Sequence, residues 1–204
     1  MTVGVRPLSA HWGWDRGLPV HRYYLEEFLR TFAADIRGRC LEFDLDLYAS
    51  RFGGAGVSRV DVLHLDESNP RATIVADLTK PNDIPSDVFD CIICTHVLHV
   101  IYEFEKAVNE LHRILKPGGT LLVGVPSVSM DGPDAGELWR FVPNGLRMVL
   151  STVFDRDKVL VRGYGNSLVA AAELRGVASH ELTRAELNNQ DPRFPVEVCA
   201  RAVK

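Results

Sequence analysis

The stretch VFDCIICTHVLHVIYEFEKAVNELHRILKPGGTLLVGVP, Val88 to Pro126, leaves this chain little choice of architecture. Cys91 to Cys94 lies in a short apolar run, as in a strand buried on both faces of a parallel sheet. Phe104, Ala107, Val108, Leu111, Ile114 and Leu115 then recur at helical spacing and form one apolar stripe. Lys116 closes that helix, Pro117 cannot extend it, and Gly118-Gly119 supply a reversal. Thr120 to Val125 reads as a second buried strand. A strand-helix-strand unit of this kind is right-handed. It puts the loop Thr95 to Val100 at the carboxyl edge of the sheet, where open α/β sheets bind ligands.

The rest of the chain extends this pattern. Helical periodicity runs from Val20 through Tyr24, Leu25, Phe28, Leu29 and Phe32. Strands are expected at Gly38 to Phe43, Val57 to Leu63 and Ala72 to Ala76, with a short helical turn at Tyr48 to Phe52. Ser127 to Glu137, which holds Gly132, Pro133 and Gly136, reads as a loop. Phe141 to Phe154 reads as a helix with Pro143 in its first turn. Lys158 to Tyr164 alternates as a strand, Ser167 to Leu187 holds one or two helices, and Pro195 to Val203 alternates as the last strand. Seven strands with helices between most of them predict an α/β, doubly wound open sheet.

The 204 residues suit one such domain. A net charge of −4 offers no basic footprint for nucleic acid. No apolar run approaches the length of a membrane span, and no signal-peptide pattern opens the chain, so a cytoplasmic location is the expectation. Cys91 and Cys94 spell CxxC, but residues three apart on a strand face opposite sides and cannot grip one metal. Cys40 and Cys199 also fall in or beside strands, so all four cysteines are expected to be buried thiols.

FDCIICTHVLHVI followed by LHRILKPGGTLLVGVP resembles the fourth and fifth strand segments of class I S-adenosylmethionine (SAM) methyltransferases. The resemblance runs roughly from Gly38 to Lys204. Within that superfamily the chain looks most like small bacterial methyltransferase-like proteins of glycan and natural-product gene clusters. It implies a Rossmann-like doubly wound seven-stranded sheet whose antiparallel last strand inserts between the fifth and sixth. It implies a methyltransferase-like domain over residues 38–204, preceded by an N-terminal lid and helix over residues 1–37. It also implies SAM as cofactor. Glu42 matches the family's first acid, Asp61 its ribose acid with Asp66 as a rival, and Asp77 the acid facing the adenine amino group. Leu78 would pack on the base, and Thr95 and His96 would line the transfer centre.

One departure from the family stands out. The usual first motif carries three alternating glycines that let the backbone approach the ligand. Here those positions hold Asp44, Asp46 and Tyr48. Aspartate tolerates the left-handed conformation better than most residues, so Asp44 is still counted in the cofactor set. Two carboxylates near the ligand's own carboxylate would repel it, while its sulfonium and ammonium would gain.

His96 and His99 are the candidate catalytic residues. They follow a buried strand at the ligand edge, and a neutral imidazole can take a proton from an acceptor hydroxyl or amine. The same edge gathers His64, Asp66 and His96 with Glu42, Asp44, Asp46 and His99, an alternative metal-ligand set. Tyr23, Trp139 and Arg140 are candidate substrate residues, because aromatic and guanidinium groups recognise planar or anionic partners. The expected function is SAM-dependent methylation of a small-molecule acceptor, a sugar or natural product, with no nucleic-acid or membrane partner. A homodimer is compatible with the sequence. The alternative reading is a methyltransferase fold that has lost methyl transfer and performs a cyclisation, hydrolysis or metal-assisted reaction at the same edge.

Overall fold

The computed structural model describes residues 4–132 and 136–204. Pro133 of the expected Ser127–Glu137 loop and the first three residues of the N-terminal segment lie outside the described residues. Seven strands form one sheet: β1 (Gly38–Phe43), β2 (Val57–His64), β3 (Ile74–Val75), β4 (Phe89–Thr95), β5 (Leu115–Pro126), β6 (Val159–Tyr164) and β7 (Glu197–Val203). Their order is β3-β2-β1-β4-β5-β7-β6. β7 runs antiparallel to both β5 and β6, and the pairings among β1 to β5 are parallel. This is the class I methyltransferase fold.

Among the described residues the α-helices are α1 (Val20–Thr31), α2 (Phe104–Ile114), α3 (Pro143–Leu150), α4 (Ser167–Leu174) and α5 (Arg184–Asn188). The stripe anticipated for α2 is buried through Ala107, Val108, Leu111 and Ile114, and it packs with α3 on one face. α1 covers the other face, where Leu25, Phe28 and Leu29 meet Cys40, Cys91, Ile93, Leu122 and Cys199. Cys94 belongs to the opposite cluster, so the CxxC residues do face apart, and all four thiols are free and buried. The Tyr24 hydroxyl donates to Leu187 O at 2.8 Å, tying α5 to α1.

The end of α2 differs from the expectation. α2 stops at Ile114, and Leu115 to Gly119 belong to β5 instead of a free reversal. The reason is pairing with the C-terminus: Gly118 N donates to Lys204 O and Lys204 N to Gly119 O. The short helical turn expected at Tyr48 to Phe52 in the crossover between β1 and β2 is a one-turn π segment, Ala49–Gly53, followed by a 3-10 turn, Gly54–Gly56. Gly53 makes that short crossing fit, since a Cβ there would stand 2.3 Å from Ile36 O. α1, from before the sheet, supplies the cover on that face.

Candidate functional site

The carboxyl edge of β1 to β4 encloses a cavity of about 310 Å³. Phe43, Leu65, Leu78, Val97 and Ile101 give it apolar walls, and Asp44, His64 and Asp77 stand at its polar rim. Beyond it lies a second cavity of about 380 Å³, lined by Trp12, Trp14, His21, Arg22, His99, Pro126, Ser129 and Glu137. His96 and Val100 line both, so they form the wall between the two.

The β1 loop turns on Asp44, which adopts the left-handed conformation, φ 63°, that a glycine would ordinarily supply. Glu42 organises the next turn of the chain. Its buried carboxyl accepts from the amides of Leu47 (3.1 Å), Tyr48 (2.9 Å) and Ala49 (2.6 Å). Burial pushes this carboxyl up, against the pull of those amides. Asp46 points outward to Arg71 at 3.3 Å. Asp44 is exposed, 3.9 Å from His64, and Asn69 donates to its carbonyl. Tyr48 turns into the core beneath α1, where its hydroxyl accepts from Arg22 at 3.0 Å. Neither the two aspartates nor the tyrosine fills the hollow.

Asp61 is corrected as a ribose acid. It sits three residues before the end of β2, fully buried, held by Arg39 (2.7 Å) and Arg59 (2.6 Å). A residue inside the strand cannot reach the strand's carboxyl edge. Its rival Asp66 lies just past β2, 3.3 Å from His64 Nδ1. Asp77 lines the cavity, yet its carboxylate also caps Thr79 N and pairs with Lys80. The Thr79 hydrogen bonds, with Lys80, hold it down to about 2. Leu78 is buried on the cavity wall. Thr95 ends β4 opposite Gly124 and is not among the cavity-lining residues.

The substrate candidates move too. Tyr23 packs with Val169 and Leu187 on the α4–α5 side, away from both cavities, because the helical turn that buries Tyr24 rotates it outward. Trp139 donates to Ile101 O and packs on Tyr102 and Phe104 at the surface. Arg140 reaches the second cavity only through Glu137, its ion-pair partner. The alternative metal set does not converge: His64 pairs with Asp44 and Asp66, and among the described residues no three His, Cys, Asp or Glu side chains form a ligand group.

His96 and His99 do meet, with ring centroids 5.7 Å apart. His99 is buried and faces Glu137 at 3.6 Å. Burial, helped by Arg140 and Arg22, lowers its ring to about 4. His96 is likewise held well below the usual imidazole range, first by burial. Both rings are therefore neutral near pH 7, the form that accepts a proton. His21 Nδ1 lies 2.7 Å from the buried Glu173 of α4, and its ring is 5.1 Å from that of His96. Glu197 of β7 is fully buried 3.2 Å from His96 Nε2. Glu173 and Glu197 escape sequence reasoning. The signal available was a lone acid in an otherwise apolar helix, LVAAAEL, and another in the alternating VEVCARAV strand.

Residues 27–123 match a family model described as a methyltransferase domain. A SAM-dependent methyltransferase from Archaeoglobus fulgidus shares the fold with a TM-score of 0.61 at 12% identity, over 90% of this chain and 94% of that one. That matched stretch, just under half of the chain, is similar to methyltransferase domains, and the shared architecture is the class I methyltransferase fold. The Burkholderia thailandensis 1,6-didemethyltoxoflavin-N1-methyltransferase, solved with 1,6-didemethyltoxoflavin and S-adenosylhomocysteine, matches with a TM-score of 0.55 at 16% identity, over 94% of this chain and 80% of that one. Among curated proteins, "Probable polyketide synthase 29" of Dictyostelium discoideum is 36% identical over 55 residues, 26% of this chain. The match spans only 2% of that synthase.

SAM is the cofactor of class I methyltransferases, and the first cavity, apolar with acids and a histidine at its rim, suits SAM's nucleoside half. The amino-acid half meets a different surface from the usual glycine cradle. Glu42 already occupies the three loop amides, while Arg22, whose Nε has no partner among the described residues, stands in the second cavity.

Proposed function

We propose that this protein methylates a small, ring-bearing natural product or sugar, with SAM in the first cavity and the acceptor in the second. The observation that carries this reading is the shared wall: His96 separates a nucleoside-sized hollow from a cavity walled by Trp12 and Trp14. Two tryptophans suit a planar or sugar ring, and Arg22, stacked 5.8 Å over Trp14, suits an anionic substituent. The stretch similar to polyketide synthases and the fold shared with a 1,6-didemethyltoxoflavin methyltransferase agree with an acceptor of that size. SAM supplies a methyl group on a cationic sulfur. The protein's part is to hold donor and acceptor in line and to receive the acceptor's proton on neutral His96.

Titration calorimetry with SAM tests the reading. Leu65 is 64% exposed and lines the hollow, so Leu65→Arg should leave the fold intact and weaken SAM about tenfold or more. No heat from wild-type protein at millimolar SAM would remove the transferase reading in favour of another reaction at this edge. An unchanged affinity in Leu65→Arg would move the cofactor elsewhere.

A further inference from the structure

Glu197 is a fully buried acid, and neither carboxyl oxygen has a hydrogen-bond partner among the described residues. Buried acids in native proteins are rarely left this way without a functional reason. Its Oε1 lies 3.2 Å from His96 Nε2, which among the described residues also has no well-aligned partner. The backbone is shaped around the two. A Cβ on Gly124 would stand 3.0 Å from Glu197 Oε1 and 2.7 Å from Leu25 Cδ1, so β5 leaves a notch for the carboxyl. His96 adopts φ 54°, unfavourable for a histidine, and its amide donates to Gly124 O at 2.8 Å.

Charged and titratable groups face the pair from every side. α1 brings His21 and Arg22, α4 brings Glu173, and the turn after β4 brings His99. Glu137 and Arg140 approach from the segment after β5, and the Tyr48 hydroxyl and Cys199 thiol complete the shell. Arg22 is the cation nearest in effect, and it already donates to Tyr48.

We infer that His96 and Glu197 form a neutral proton-sharing pair that releases one proton when a cationic ligand binds beside it and regains one from the acceptor. The inference rests on the SAM reading above. Burial disfavours both a carboxylate and an imidazolium, so the resting pair keeps one proton on the carboxyl and one on the ring. A sulfonium at the shared wall compensates a negative charge, so the Glu197 O–H bond breaks and its proton passes to solvent. The remaining proton lies on His96 Nε2, facing the carboxylate, and the other ring nitrogen carries a free lone pair. That lone pair takes the acceptor's proton. The electrons of the acceptor's O–H or N–H bond become its bond to the methyl carbon, and the S–CH₃ pair stays on sulfur as a neutral thioether. The pair ends neutral beside a neutral product. One proton is released per turnover, and it leaves at binding.

The test is calorimetry in two buffers of different ionisation enthalpy at about pH 6.5, where the ligands' α-amino groups stay charged. SAM and S-adenosylhomocysteine, which differ by the charged methyl, are titrated into wild-type protein, Glu197→Gln and His96→Asn. Wild-type protein should release close to one proton with SAM and close to none with S-adenosylhomocysteine. The difference should vanish in Glu197→Gln, and in His96→Asn should Glu197→Gln fail to fold, with S-adenosylhomocysteine still bound. Equal proton release with both ligands in wild-type protein overturns the inference and leaves the transferase reading intact. So does a difference that persists in Glu197→Gln. If neither ligand binds wild-type protein, the transferase reading falls and takes the inference with it.

Discussion

Two buried glutamates at the same edge of one sheet meet opposite fates. Glu42, at the end of β1, accepts from three backbone amides within its own loop. Glu197, at the start of β7, has no hydrogen-bond partner among the described residues. Burial pushes both carboxyls up, but three amide hydrogen bonds restrain the first, while only the charge of Arg22 opposes the shift in the second. Glu42 is a structural acid that sets the path of a loop. Glu197 is held ready to change its charge. An acid's role at a ligand edge follows from its donors, not from its presence there.

The comparison can be attacked at both ends. The largest effect is expected where neutral groups are forced into the interior. The His99 ring titrates near 6.5 when unfolded but at about 4 when folded, because burial opposes its charge. Between those values the unfolded chain binds more protons, so stability falls as the pH drops from about 6.5 to about 4. From this group alone the loss is about 3 kcal/mol, read from urea midpoints. His99→Gln should flatten that slope, and an unchanged slope would mean the ring is not neutral in the folded protein.

The loop end is tested by Glu42→Ala, which strands three amides that have lost their acceptor. A loss of about 2–3 kcal/mol in the same urea experiment is expected. A cost below about 0.5 kcal/mol would show that the loop holds its shape unaided and would erase the contrast.

The smallest effect belongs to Asp46, paired with Arg71 at 3.3 Å with both side chains more than half exposed. Asp46→Asn should change stability by no more than about 0.5 kcal/mol and SAM affinity by less than about twofold. An affinity gain of about tenfold would mean that this carboxylate faces the ligand after all and repels it.

Much of this was legible in local pattern. The stripe from Phe104 to Ile114 and the apolar run from Phe89 to Thr95 each satisfy one periodicity, and a right-handed crossover between parallel strands follows from chirality. The left-handed turn at Asp44 was within reach because aspartate tolerates it. Asp61 was misplaced because spacing along the chain does not show which partner a side chain meets. β2 holds it inside the strand, as the expected span Val57 to Leu63 already did, and binds it to Arg39 and Arg59. Tyr23 was misassigned because four aromatics in one segment do not reveal which turn faces the sheet. Trp12 and Trp14 reach the cavity, and Tyr23 faces α5.

By itself, the sequence determined the layers, the strand-helix alternation and the edge where ligands must sit, because those depend on contacts a few residues apart. Only the tertiary structure decided which acids stand alone. β7 inserts between β5 and β6, and this sets Glu197 against Pro126 and Tyr164 and beneath His96, about a hundred residues away in the chain. Whether a carboxyl finds a donor there depends on packing between distant segments, and no local periodicity carries that information.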